Sequence, residues 1–164
     1  MIIHDGTSVP VLMDPQDPDD AKRYTVMLRP PVWSPSQLCY EKESVVLPSQ
    51  FSGFYGLARS GGITGNSEPV FPSKSNVVVV DGGVEWVMRP YDFILLPGMT
   101  LASATWSADN PAVQFSSEQT NSDKTSMLIS GLPASVEKVL ITVRLVYNPE
   151  GQEDKSFIIP VAQM

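Results

Sequence analysis

Proline and glycine interrupt this chain so often that short strands, rather than long helices, are its expected building unit. There are 15 prolines and 11 glycines among 164 residues. Proline removes a backbone donor and clashes with the preceding helical turn, and glycine weakens a helix through backbone entropy. Short pieces between such turns favour strands. No segment carries convincing helical periodicity; Pro133-Ala134-Ser135-Val136-Glu137 has room for one turn at most.

The pieces alternate as strands do. In residues 24–28, Tyr24, Val26 and Leu28 oppose Thr25 and Met27. Val77, Val78, Val79 and Val80 form a β-branched run. Asp81-Gly82 then marks a tight hairpin turn, and residues 84–87 return with Val84 and Trp86 on one face. Phe51, Phe54 and Tyr55 sit among glycines in a region that reads as a hairpin. Later, Leu101, Ser103 and Thr105 oppose Ala102, Ala104 and Trp106. Met127 pairs with Ile129 by alternation, and Phe157 with Ile159. The strongest strand covers residues 138–147, with Val139, Ile141, Val143 and Leu145 facing one way. Strands at this spacing, separated by polar turns, predict a small antiparallel sandwich of immunoglobulin type.

The expected fold class is therefore all-β. Residues 1–23, broken by Asp14-Pro15-Gln16-Asp17-Pro18, read as an extended N-terminal arm lying on a neighbouring subunit. Residues 24–88 read as a small aromatic β-module, and residues 89–164 as an immunoglobulin-like sandwich, with the boundary at Met88-Arg89-Pro90.

Charge and cysteine usage narrow the function classes. The net charge is -7 and the pI about 4.5, whereas nucleic-acid binding needs a basic surface to displace counterions from phosphates. With a single cysteine, Cys39, no intrachain disulfide is possible. No apolar run reaches the ~20 residues that span a bilayer. The first residues lack the basic-then-apolar pattern of a signal peptide, which points to a protein made inside a cell without export.

Residue types suited to catalysis are scarce. His4 is the only histidine and sits near the start of the chain, a poor position for a general base. One histidine and one cysteine do not make a zinc site. Asp14, Asp17, Asp19 and Asp20 offer oxygen ligands but lack the glycine and bidentate glutamate of an EF-hand loop, so a solvated acidic linker is the simpler reading. Ser60-Gly61-Gly62-Ile63-Thr64-Gly65 lacks the lysine and following helix of a phosphate loop and reads as a flexible turn region. No enzyme activity and no cofactor are expected.

Aromatic residues crowd the first half: Trp33, Tyr40, Phe51, Phe54, Tyr55, Phe71 and Trp86. Exposed, they form a platform for sugars or partner proteins, with Trp33, Tyr55, Phe71 and Trp86 as its candidate binding residues. Buried, they are the core of a module poor in aliphatic residues, which is the favoured reading.

Two stretches carry a resemblance. Trp33-Ser34-Pro35, then Gly65-Asn66-Ser67-Glu68-Pro69-Val70-Phe71-Pro72, then Asp81-Gly82-Gly83-Val84-Glu85-Trp86 resemble an aromatic β-module recurrent in phage tail and fibre proteins. Its pattern opens on Trp-x-Pro, continues through Glu-Pro-x-Trp-Pro and closes on Asp-Gly-x-Val-x-Trp. Here Phe71 replaces the middle tryptophan. Leu96-Pro97-Gly98, the Ser103-Ala104-Thr105-Trp106 end, and three later strands in order look like the phage fiber–tail adaptor family. The resemblance implies a non-enzymatic virion component of a tailed bacteriophage, assembled in the host cytoplasm. It would sit at the tail or head–tail junction, in symmetric copies, and contact other virion proteins, with no cofactor, nucleic acid or membrane. A receptor- or carbohydrate-binding module of the tail and a capsid decoration protein are the rival readings.

Overall fold

A computed structural model describes residues 2–3, 11–39 and 44–162. In chain order the strands are β1 (Ile2–Ile3), β2 (Val11–Leu12), β3 (Lys22–Met27), β4 (Leu38–Cys39), β5 (Val45–Val46), β6 (Phe54–Ala58) and β7 (Gly62–Ile63). They continue as β8 (Val78–Asp81), β9 (Val84–Pro90), β10 (Thr100–Ala108), β11 (Gln114–Thr120), β12 (Lys124–Ser130), β13 (Lys138–Asn148) and β14 (Gln152–Pro160). There is no helix among the described residues, so the protein is all-β. His4 and Tyr40 lie outside the described residues.

The chain forms two compact units, and their boundaries differ from those the sequence suggested. One unit comprises Met1–Arg29 with Phe93–Met164; the other is Pro30–Asp92, inserted between β3 and β10. Strand β3 therefore belongs to the sandwich and not to the aromatic module. Its alternation is genuine, with Tyr24, Val26 and Leu28 all buried, but its partner is β12, where Thr25 pairs with Ser126. Pairing at such sequence separation leaves no local trace. Nor do Met88, Arg89 and Pro90 form a boundary: β9 runs through them, and Pro90 ends the strand opposite Phe54, a position where its missing donor is tolerated.

The described part of the expected arm is likewise built into its own unit. β2 pairs in parallel with β14, and Met13 N donates to Ile158 O at 2.9 Å. Gln16 explains the attachment. Its backbone N donates to Pro160 O, and its carbonyl accepts from Ala162 N. Its side-chain amide donates to Asp20 O and Ile129 O while its oxygen accepts from the Tyr24 hydroxyl at 2.8 Å. A buried amide with each of these groups partnered is stabilising where an unpaired one is costly.

In this first unit two four-stranded sheets, ordered β1-β3-β12-β11 and β10-β13-β14-β2, form a β-sandwich. The inner faces follow the period of two. β13 contributes Val139, Ile141, Val143 and Leu145, and β14 contributes Phe157 and Ile159, all fully buried. Tyr24 stacks on Phe157 across the core, with centroids 5.3 Å apart, and Trp106 meets the same ring edge-on at 6.2 Å. Strict alternation would put Leu101 and Trp106 on opposite faces of β10. Both are buried, because the register against β13 shifts between Leu101 and Ser103 and re-phases the strand. The Trp106 indole N–H then donates to the buried Thr125 hydroxyl on the facing sheet.

Burial in this core pushes the Tyr24 phenol up to about 12, with the nearby Asp14 carboxylate adding to the effect. The folded state therefore holds the proton that the unfolded chain releases near pH 10. Stability from this group is fully present below pH 10 and is lost as pH rises toward 12. Urea unfolding midpoints measured across that range should decline, and Tyr24→Phe should flatten the decline; an unchanged slope in the variant would contradict the assignment.

Candidate functional site

The second unit holds all four residues proposed as a binding platform. Its main sheet is ordered β5-β6-β9-β8, with a separate two-stranded pair of β4 and β7. One face of the main sheet carries a small core of Val46, Ala58, Val84 and Trp86, with Trp33, Phe71 and Val79 packed against it. Trp86 is only 1% exposed and Tyr55 only 5%. The platform of Trp33, Tyr55, Phe71 and Trp86 is thus not a continuous exposed surface. Two of its members are buried, and Trp33 and Phe71 are partly buried against the core. Tyr55 lies off this cluster: paired positions alternate faces, so it shares the opposite face of β6 with Leu57. Burial raises the Tyr55 phenol, Asp92 adds to the rise and Arg89 offsets part of it.

The polar centre of the unit is Asp81, which is buried. Its Oδ2 accepts from the Trp33 indole at 2.8 Å and from the Trp86 indole at 3.0 Å. Its Oδ1 accepts from Gly65 N at 2.7 Å. One carboxylate thus ties together three separate segments of the chain. The sequence showed this aspartate only as the start of a turn. The signal that was available is its position before Gly82-Gly83 in a module with two indole donors needing acceptors.

The glycine-rich segment is packed against that turn. Gly82 has φ +60, and a Cβ there would lie 2.6 Å from Ile63 O. A Cβ at Gly62 would lie 2.5 Å from Gly83 O. Two backbones meet here with no room for a side chain. Gly83 N donates to Ile63 O, and the buried Thr64 hydroxyl accepts from Gln37 N and donates to Ser34 O. The expectation of a flexible turn region at residues 60–65 gives way to a backbone held from both sides. Glu68 performs a similar service for the loop after β5, accepting from Ser49 N at 2.7 Å and from the Ser49 hydroxyl. Trp33, Gly65, Glu68, Asp81, Gly82 and Trp86, the residues that carry the resemblance, are therefore the framework of the unit.

The exposed apolar surface lies elsewhere in this unit. β8 is an edge strand of the main sheet. Met88 N donates to Val77 O, so the odd-numbered positions of this segment face β9. The backbone groups of Val78 and Val80 point away from the sheet. Among the described residues no strand pairs with that edge. Val78 is 41% exposed and Val80 67%. The sequence announced this strand clearly, but not that it ends the sheet.

Among the described residues, no group of three His, Cys, Asp or Glu side chains is placed to hold a metal ion. No helix there is long and apolar enough to cross a membrane. No protein-family model matches the chain, and comparison with curated proteins finds no significant relative.

Proposed function

We propose that this protein is a structural component of a tailed-bacteriophage virion, a tail-accessory or fibre-to-tail adaptor that works through protein–protein contacts. The observation that carries the reading is the open β8 edge. Exposed edges are templates for strand addition, and natural proteins usually blunt them with charge, proline or bulges. β8 is short, but Val78 and Val80 on it are exposed β-branched residues without charge. The framework role of the motif that resembles phage tail modules is in keeping with the same reading. Burial of Tyr55 and Trp86 leaves the receptor-binding alternative only Trp33 and Phe71 of its four residues as partly exposed aromatics.

In this reading the protein assembles in symmetric copies, and β8 extends into a sheet shared with a neighbouring virion subunit. The test is Val78→Lys with Val80→Lys, which places two charges on an exposed edge without touching the core. Wild-type protein should co-sediment with purified tails and run as an oligomer by light scattering. The double variant should lose both behaviours while keeping its urea midpoint. A wild-type monomer that fails to bind tails would refute the proposal.

A further inference from the structure

The outer face of the sandwich carries a pocket lined by polar residues that the assembly reading does not use. It has a volume of about 270 Å³ and is lined by Arg23 and Thr25 of β3, Gln119 and Thr120 of β11, Asn121, and Lys124 and Ser126 of β12. The strand register explains why these residues meet. Ser126 pairs with Thr25 on one side and with Gln119 on the other, so the three form a row across the sheet. Arg23 and Lys124 lie diagonally above and below that row.

β11 is irregular at this point. Its register against β12 shifts between Ser116 and Gln119, and Ser117 there has φ +51. A non-glycine residue in the left-handed region costs of order 1–3 kcal/mol and must be held by its surroundings. Here Arg23 Nη1 donates to Ser117 O at 2.8 Å and to the Ser126 hydroxyl at 3.1 Å. The bulge and the guanidinium together shape the wall of the pocket, and bulges are enriched beside functional sites.

The chemistry of the lining is specific. Ser126 is only 5% exposed and forms part of the floor. Its oxygen accepts from Arg23, and its own hydroxyl proton has no acceptor among the described residues. Lys124 forms no ion pair among the described residues. No carboxylate lines the pocket. Of the neighbouring acids, Asp123 pairs with Arg29, while Glu118, which accepts from the Thr120 hydroxyl, lies outside the lining. Two cations thus converge in a chain whose net charge is -7.

We infer that this pocket binds a carboxylate-bearing sugar unit. Lys124 and Arg23 supply the positive field for the carboxylate. The hydroxyls of Thr25 and Ser126 and the amide of Gln119 offer both donors and acceptors, as a polyhydroxyl ring requires. The absence of an aromatic ring from the lining disfavours stacking of a neutral sugar and leaves charge as the main discriminator. The volume lies below the ~300–1,000 Å³ typical of drug-sized ligands and suits contact with about one sugar residue. The inference is independent of the tail assignment, since it rests on the sandwich alone.

The experiment is amide chemical-shift titration of the full chain with glucuronate, glucose and acetate. Glucuronate should give saturable shifts at Thr25, Gln119 and Ser126, weakening as salt rises. Glucose and acetate should each bind at least about tenfold more weakly, because each offers only half of the recognised chemistry. Lys124→Ala, an exposed change that leaves the core intact, should weaken glucuronate about three- to tenfold. Ser126→Ala should weaken it too, with a modest fall in the urea midpoint because the Arg23 bond to this buried hydroxyl is lost. Equal shifts from glucose, full affinity for acetate alone, no saturable shift at tens of millimolar glucuronate, or an unaltered Lys124→Ala titration would each overturn the inference.

Discussion

Asp81→Ala is expected to destabilise the inserted unit by about 3–5 kcal/mol, among the largest effects of any single change in that unit. The substitution removes the acceptor of two indole N–H groups and one backbone N–H. Each buried donor left without a partner costs about 1–3 kcal/mol, and the Trp33 donor, at the half-buried margin, costs least. Asp81→Asn is the sharper test. Asparagine keeps the shape and one acceptor, but whichever way its amide lies, its NH₂ faces donors. It should therefore lose most of what alanine loses. A Trp106→Phe background leaves Trp33 and Trp86 as the only indoles, so tryptophan fluorescence then follows the inserted unit through urea unfolding. If Asp81→Asn unfolds within about 0.5 kcal/mol of its parent, the carboxylate is not the organising centre assigned to it.

The sandwich should respond as strongly to Phe157→Ala. Phe157 is fully buried between Tyr24 and Trp106. Truncation removes the ring shared by two aromatic contacts and leaves a cavity between the sheets. Such changes cost about 3–5 kcal/mol. Phe157→Leu refills part of the space and should cost roughly half as much. Trp106 reports the loss directly, through its emission in a Trp33→Phe, Trp86→Phe background validated for folding beforehand. Equal midpoints for the leucine and alanine variants would mean that ring packing contributes little beyond its bulk.

Much of the strand pattern was legible because alternation is a local signal. Residues 138–147 carry it without interruption, and the strand found there buries Val139, Ile141, Val143 and Leu145 as expected. The hairpin at Asp81-Gly82 was legible for the same reason: turn chemistry is written in adjacent residues. Three features were not. The partner of β3 lies across the chain; Arg23 and Ser126 are 103 positions apart. The inward rotation of both Leu101 and Trp106 depends on a bulge that alternation cannot reveal. The joint role of Trp33, Gly65 and Asp81 depends on three segments meeting at one buried carboxylate. The aromatic residues were recognised, but their exposure was not fixed by their identity. Tyr55 and Trp86 are buried, whereas Val32, Val70, Val78 and Val80 of the same unit are exposed.

The insertion between β3 and β10 has a consequence for the order in which the chain acquires structure during synthesis. Leu95 N donates to Leu28 O at 3.0 Å, so the segment leaves and re-enters the sandwich at adjoining points. Every strand pair of the inserted unit lies within Pro30–Asp92. By contrast, β3 waits for β12, and β2 waits for β14. On a ribosome adding about 5–20 residues per second, the inserted unit can fold while most of the sandwich is still unmade. Once folded, it draws the ends of a long loop together and lowers the entropy cost of bringing β3 to its partner. The inserted unit can thus be complete before the sandwich that it interrupts in sequence.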